Sequence, residues 1–523
     1  MGISGKRAIE GAGTLLFAFC AFTHAQVNVL TANYGNDRTN TNSQEATLTP
    51  SNVASGHFGK IGAFPVDGQV YAQPLFVSGL FMPGKGTRNV VFILTQHNSV
   101  FAYDADIPSG AGLLWRVNLG PSIPSTVFDQ PDSPYEDIAP EIGILSTGVI
   151  DAQRQILYVV SGNYGADGVA YRLHALDLMT GSEQLNGPVT IGGGVPGAGA
   201  DSQDGALAFD PLWHIQRPGL LLANNQLYIA CGSHADAGSW HGWLFGYNAG
   251  DLSQPPAVVS LSPNGYGASI WQSGRGLASD AGGNVYAITG NGDYDGTTDF
   301  GESFLRFGPA GLSVADWYTP SNWQDLANND YDLSAGPALI HGGQFVVGGD
   351  KNGNLYLVKA GLMGGLGGNA QIIVGVQWGG IFNLAIWNQA GGAYVYVQEQ
   401  SGPLECFQLS GGALAAAPIS VSKVITDSAY AGLAVSANGT SGGIVWETTG
   451  DHNNPALPGT LHAFDAANLS NELWNSNKNA AADALGKFAK FANPTVVNGR
   501  VYVPTWSMAV TVYGLIGPRT RMH

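Results

Sequence analysis

Eight times along this chain the same pattern returns. It is an apolar strand, a Gly or Asn turn, a second strand ending in a small residue, a polar loop, then L-x-A-x-D or a relative of it. Clear copies are VVFILTQHNSVFAYD (90–104), ILYVVSGNYGADGVAYRLHALD (156–177) and IVWETTGDHNNPALPGTLHAFD (444–465). An apolar strand precedes each copy, among them RPGLLL, GRGLAS and GLAVS, and a fourth such as LLWRVNL (113–119) follows. Four-stranded units returning every about 50–60 residues suit propeller blades, because a lone blade cannot bury both its faces and neighbours must cover it. The expected fold is all-β, an eight-bladed β-propeller of four-stranded antiparallel blades. The last copy has almost nothing after its third strand. The stretch HFGKIGAFPV (57–66) is therefore expected to close that blade as an N-terminal strand and spare the ring an open edge.

Composition agrees with this architecture. With 75 glycines, 27 prolines and only 11% charged residues, the chain has many turns and little material for the wet faces of long helices. A formal charge of −17 argues against nucleic acid and anionic lipid, both of which call for a basic surface.

Lys6 and Arg7 precede the apolar run GAGTLLFAFCAF (11–22), which is followed by THA. This reads as a secretory signal over residues 1–25, cleaved after Ala25, that sends the protein to the periplasm or outside the cell. The run is too short to span a bilayer, so no transmembrane segment is expected after cleavage. One propeller domain is expected over 26–516 and a tail over 517–523, with oligomeric state left open.

The repeat columns assign several reactive residues to packing. His174 and His462 share a column with Phe101, Phe245 and Tyr356. Cys406 aligns with Ala102, Ala175 and Ala463, and Cys231 with Thr95, Ser161, Thr289 and Thr449. Buried packing cysteines follow from this, and the absence of C-x-x-C-H argues against haem.

The stretches VYAITG, LHAFDAANLSNELW and VFAYDADIPSGAGLLW resemble the pyrroloquinoline-quinone (PQQ) repeat proteins in their strand, A-x-D turn and docking Trp, over about residues 70–516. QRPGLLLANNQLYIACGSHADAGSWHGWLFGY and DYDLSAGPALI are similar to a secreted bacterial subgroup of PQQ-like propellers without known activity. The resemblance implies two outcomes. One is a dehydrogenase that oxidises an alcohol or sugar with PQQ and calcium on the propeller axis. The other is a non-enzymatic scaffold. The chain lacks the vicinal cysteine pair that covers the quinone in the dehydrogenases, and its docking Trp is clear only at Trp115 and Trp474. No catalytic residue carries over.

In a propeller, loops crowd the axial channel at one face. Gln73, Arg217, Arg275, Asn383 and Asn493, which open the innermost strands, are expected to converge there. So are His97, Asn163, His234, Asn291, Asp350 and Asp451, which follow the second strands, and Asp236 in SHADAGSWHGW (233–243). Two arginines among amides suit a carboxylate-bearing ligand such as a quinone; alternatively they tie adjacent blades through backbone carbonyls.

The stretch TGNGDYDGTTDFGES (289–303) spaces oxygens like an EF-hand loop, making Asn291, Asp293, Asp295 and Asp299 candidate calcium ligands. Its flanks read as strands rather than helices, and it aligns with SGNYGADG and CGSHADAG as one more loop between blade strands. The leading expectation is an exported propeller that binds a small molecule or peptide at its loop face. A PQQ- and calcium-dependent dehydrogenase is the alternative. A polysaccharide-active propeller, resting on Trp240, Trp317 and Trp323, ranks last.

Overall fold

Alternating apolar strands joined by tight turns form eight antiparallel sheets in a ring. The computed structural model describes residues 1–2 and 27–517, apart from 132–133, 310, 376–378, 427–429, 452–453 and 455–456. The expected signal segment and all but the first residue of the expected tail lie outside the described residues. No described helix is long and apolar enough to cross a membrane.

Blade 1 consists of Leu75–Met82, Gly86–Leu94, Ser99–Asp104 and Leu113–Asn118, from the axis outward. The innermost strands of blades 2 to 8 are Val149–Asp151, Leu221–Ala223, Ala278–Ser279, Leu333–Ile340, Ile381–Gln389, Gly432–Asn438 and Thr495–Val497. Phe58–Pro65 pairs antiparallel with Ala509–Leu515 and becomes the outermost strand of blade 8, closing the ring as the repeat count requires.

The core is shared out between the blades. Among the described residues eight hydrophobic clusters form, each built from two neighbouring blades, one of them joining Tyr502 and Val510 of blade 8 to Phe76 and Phe101 of blade 1. The two expected docking tryptophans bridge blades. Trp115 Nε1 donates to Leu178 O of blade 2 at 2.9 Å, and Trp474 packs edge-on against Phe58 and Tyr513 of blade 8.

The histidines of the repeat column are buried, and they do more than pack. His174 bridges Ser161 Oγ, at 2.9 Å, and Glu183. His462 bridges Thr449 Oγ1, at 3.1 Å, and Glu472, at 2.8 Å. Where the column instead holds Phe245, the facing slot holds Cys231. Cys231 and Cys406 are free and buried, and burial pushes both thiols up.

The repeat does not foretell the course of the N-terminal segment before Phe58. Residues 29–42 wind inside the ring and meet the innermost strand of every blade in order. Val29 exchanges hydrogen bonds with Phe76, and Leu30 O accepts from Ile150 N at 2.7 Å. Thr31 Oγ1 reaches Leu220 O at 3.4 Å. Asn36, Asp37, Thr39 and Asn40 carbonyls accept from Ser279, Leu339, Ile386 and Val435 N at 2.7 to 2.9 Å. Asn42 Nδ2 then donates to Val496 O at 2.9 Å. The innermost strands would otherwise leave backbone groups unpaired along the axis, and this segment satisfies them.

Arg38 lies at its centre, fully buried, donating to the carbonyls of Ala32, at 2.6 Å, Leu220, at 3.1 Å, and Leu277, at 2.6 Å.

Candidate functional site

With one stretch of the axis filled by the N-terminal segment, open space remains where chain enters the innermost strands and leaves the second strands. A cavity of about 610 Å³ lies there. Its wall is aromatic: Phe382 and Tyr430 meet edge-on at 4.7 Å, Tyr430 and Phe491 stack at 4.9 Å, and Trp271 stands 6.1 Å from Phe382. Three cations border it. The Arg217 guanidinium lies 4.8 Å over Phe491 and 6.0 Å from Trp271, and Lys351 Nζ sits 5.3 Å over Trp271. Lys490 is held by Asp137.

Asp332, which leads into the innermost strand of blade 5, forms the polar floor. It accepts from Trp271 Nε1 at 2.6 Å and pairs with Lys351 Nζ at 2.6 Å, while Lys351 also reaches Asp330 at 2.7 Å. Burial raises the Asp332 carboxyl to about 6 despite that ammonium, whereas its two carboxylates hold Lys351 firmly charged. Glu302 behind it is pushed well up, first by burial and then by the Asp332 charge. It accepts only from Leu333 N, at 2.9 Å, and its other oxygen has no donor.

Of the residues expected at the channel, Arg217, Asp236 and Asn291 line the cavity. Arg275 does not. It is fully buried and donates to Asn383 Oδ1 at 2.7 Å, Leu384 O at 2.8 Å and Arg38 O at 2.5 Å, so it anchors the N-terminal segment. Asn383 continues the tie to Ala431 O and Asn493, and Gln73 accepts from Asn33 N at 2.7 Å. The two expected arginines therefore have different jobs, one as a blade tie and one at the cavity.

His97 pairs with Glu141 away from the cavity at 3.2 Å, and Asn163 binds the Leu119 and Pro121 carbonyls. His234 is buried, stacked 3.8 Å from Phe128, and burial drives its imidazole down to about 3. Asp350 caps its own turn through Asn352 N and Asn354 N, and Asp451 does not line the cavity. In these loops the neighbouring residue, Lys351 or Ser233, reaches the space instead. Strand alternation allows only one of two adjacent side chains to face inward. Trp240 is buried and offers no exposed platform.

The acidic loop spreads its oxygens among separate partners. Asp295 caps Thr297 N, Thr298 N and Asp299 N, Asp293 accepts from Tyr266 N at 3.2 Å, and Asp299 from Asn264 N at 3.1 Å. Glu302, at the end of the same stretch, turns inward to Leu333 N of the neighbouring blade. Among the described residues no three acidic, His or Cys side chains gather around one point.

Asn291 alone of this set reaches the cavity, and its Oδ1 is buried without a donor. A Cβ on the preceding Gly290 would stand 2.5 Å from Asp332 Oδ2, so these loops are in contact. Asn291, Asp332 and the unpaired oxygen of Glu302 are hard donors of the kind calcium takes. Three are too few for its usual six to eight ligands, so a bound ligand would have to supply others. Sequence reasoning missed Trp271, Asp332 and Lys351. A charged residue beside the start of an innermost strand was the available signal.

An eight-bladed propeller with an axial segment and an aromatic, ion-paired cavity at its loop face is the class this fold and site define. Among solved structures, the chain is similar to the quinohemoprotein alcohol dehydrogenase ADHIIG from Pseudomonas putida HK5, with 14% identity and a TM-score of 0.59 over 94% of this chain and 81% of that one. A europium-containing methanol dehydrogenase matches at 14% identity and TM-score 0.47, covering 91% of this chain and 81% of that one. BamB from Moraxella catarrhalis matches at 13% and 0.38, covering 88% and 100%. The first likeness is one of fold and agrees with the resemblance to PQQ-repeat propellers; the other two are too distant to add to it. No protein-family model matches the chain, and no curated protein matches it.

Proposed function

We propose that the protein is an exported binding propeller whose loop-face cavity receives a small planar ligand bearing a carboxylate, of the quinone class. The observation that carries this is Arg217. Its guanidinium rests on Phe491 and Trp271, while its nearest carboxylate, Asp137, is 3.8 Å away and already engaged by Lys490. A guanidinium so placed can grip a carboxylate while the aromatic wall takes a ring face.

Asp332 favours a second reading at the same cavity, the oxidation of an alcohol or sugar. A carboxyl titrating near 6 is suited to accept a proton close to neutral pH. Bound PQQ would supply the two-electron acceptor for such a reaction. Arg217 would hold its carboxylate and Trp271 would face its ring.

Titration of the purified protein with PQQ, with and without calcium, tests both readings. Saturable quenching of tryptophan fluorescence supports ligand binding, and its absence for PQQ and related aromatic carboxylates ends that reading. Dye reduction with alcohols or sugars would favour the second, and binding without turnover would end it.

A further inference from the structure

We propose that the axial channel holds a monatomic anion of the chloride class, in a small void between the N-terminal segment and the floor of the outer cavity. The void measures about 20 Å³, room for one water-sized guest, and is bordered by Ala32, Tyr71, Gln73, Arg217, Lys490 and Asn493.

Three of these side chains carry donors that are buried and have no acceptor in the protein: Tyr71 Oη, Gln73 Nε2 and Arg217 Nη2. The orientation of Gln73 is set by its oxygen, which accepts from Asn33 N, so the amide nitrogen is left over. Unmade bonds at three buried donors are costly. A water accepts about two hydrogen bonds and must place two hydrogens of its own. A halide accepts all three and donates none.

Charge points the same way. Arg217 and Lys490 share one carboxylate, Asp137, leaving one positive charge uncompensated beside the void. Deeper in the channel, Arg38 and Arg275 are both fully buried, and among the described residues neither forms an ion pair with a carboxylate. Their guanidiniums are served by carbonyls, Thr31 and Asn383. The Arg275 Nε is also unpartnered. A strongly acidic protein thus keeps a cationic axis, and the mutual repulsion of these cations is relieved by one buried anion. The void shares Arg217, Lys490 and Phe491 with the outer cavity, so the test is run with no outer ligand added, where only the anion can report.

The test compares melting temperature in sodium chloride or bromide with that in sodium gluconate, whose anion is too large for the void, at equal ionic strength. An anion that binds only the folded state raises Tm and saturates. Gln73→Glu keeps the oxygen that accepts from Asn33 N but replaces the donor with a carboxylate, and should abolish the halide dependence. Tyr71→Phe removes one donor with little change of shape and should weaken it. Crystals grown in bromide should show an anomalous peak between Tyr71, Gln73 and Arg217. Melting indifferent to the anion, or a bromide crystal with no peak at the void, overturns the proposal, and both measurements use the unaltered protein.

Discussion

Gly276 and Arg38 are locked against each other at the propeller axis: a Cβ on Gly276 would stand 2.6 Å from Arg38 Cζ. Only glycine lets the innermost chain of blade 4 pass so close to the guanidinium. Gly276→Ala should therefore displace Arg38 from the Leu277 and Ala32 carbonyls and lower stability by about 1–3 kcal/mol. Urea unfolding measures this, and an unchanged midpoint would show that the axial segment yields freely.

Ring closure rests on blade contacts that can be cut singly. Trp474 is nearly buried between blades 7 and 8, against Phe58 and Tyr513. Trp474→Ala should cost about 3–5 kcal/mol. Limited proteolysis should then cut first around Phe58–Pro65, the strand that the lost contact holds.

The histidine bridges should behave as buried polar networks. Thr449→Val keeps the shape but removes the hydroxyl facing His462 Nε2, so stability should fall by about 1–3 kcal/mol for the unpaired group. The same change at Thr47, an exposed position outside the network, should cost far less.

Acid should destabilise this protein through two buried imidazoles. Burial lowers His234 to about 3 and His214 to about 4, from an ordinary 6.5. The unfolded chain then binds more protons than the folded one between those values and 6.5, so stability is complete above 6.5 and is lost as pH falls. The slope should approach roughly 1.4 kcal/mol per pH unit for each group. His234→Gln should flatten its share, which denaturation at pH 7 and pH 4.5 would reveal.

At the cavity, Arg217→Met should leave the fold intact and weaken PQQ or a matched aromatic carboxylate at least about tenfold, the equivalent of 1.4 kcal/mol. Arg275→Met should act differently and lower Tm, because Arg275 holds Arg38 and Asn383 rather than ligand. Fluorescence titration with thermal melting separates the two outcomes.

Much of this was legible in the chain itself. RPGLLL and GRGLAS align as innermost strands, Gly219 with Gly276 and Leu220 with Leu277, which sets Arg217 one position further from its strand than Arg275. What the alignment could not say is that Gly219 and Gly276 make room for Ala32 and Arg38, since those contacts span more than 180 positions. The acidic loop shows the converse. Its EF-hand-like spacing is real, yet hairpin geometry points Asp293, Asp295 and Asp299 at backbone amides within and beside the loop and leaves only Asn291 for the cavity.

The sequence by itself determined the eight blades, the strand that closes them and the face where loops gather, because strand periodicity and turn residues act locally and repeat. The tertiary structure alone decided which side chains share the axis. Arg217 faces a cavity, and Arg275, one position nearer its own innermost strand, faces a carbonyl. Lys351 reaches Trp271 while Asp350 beside it turns into its own hairpin. Such choices depend on the side-chain alternation of each strand and on a distant N-terminal segment that fills the axis, and neither is written in the spacing of a single repeat.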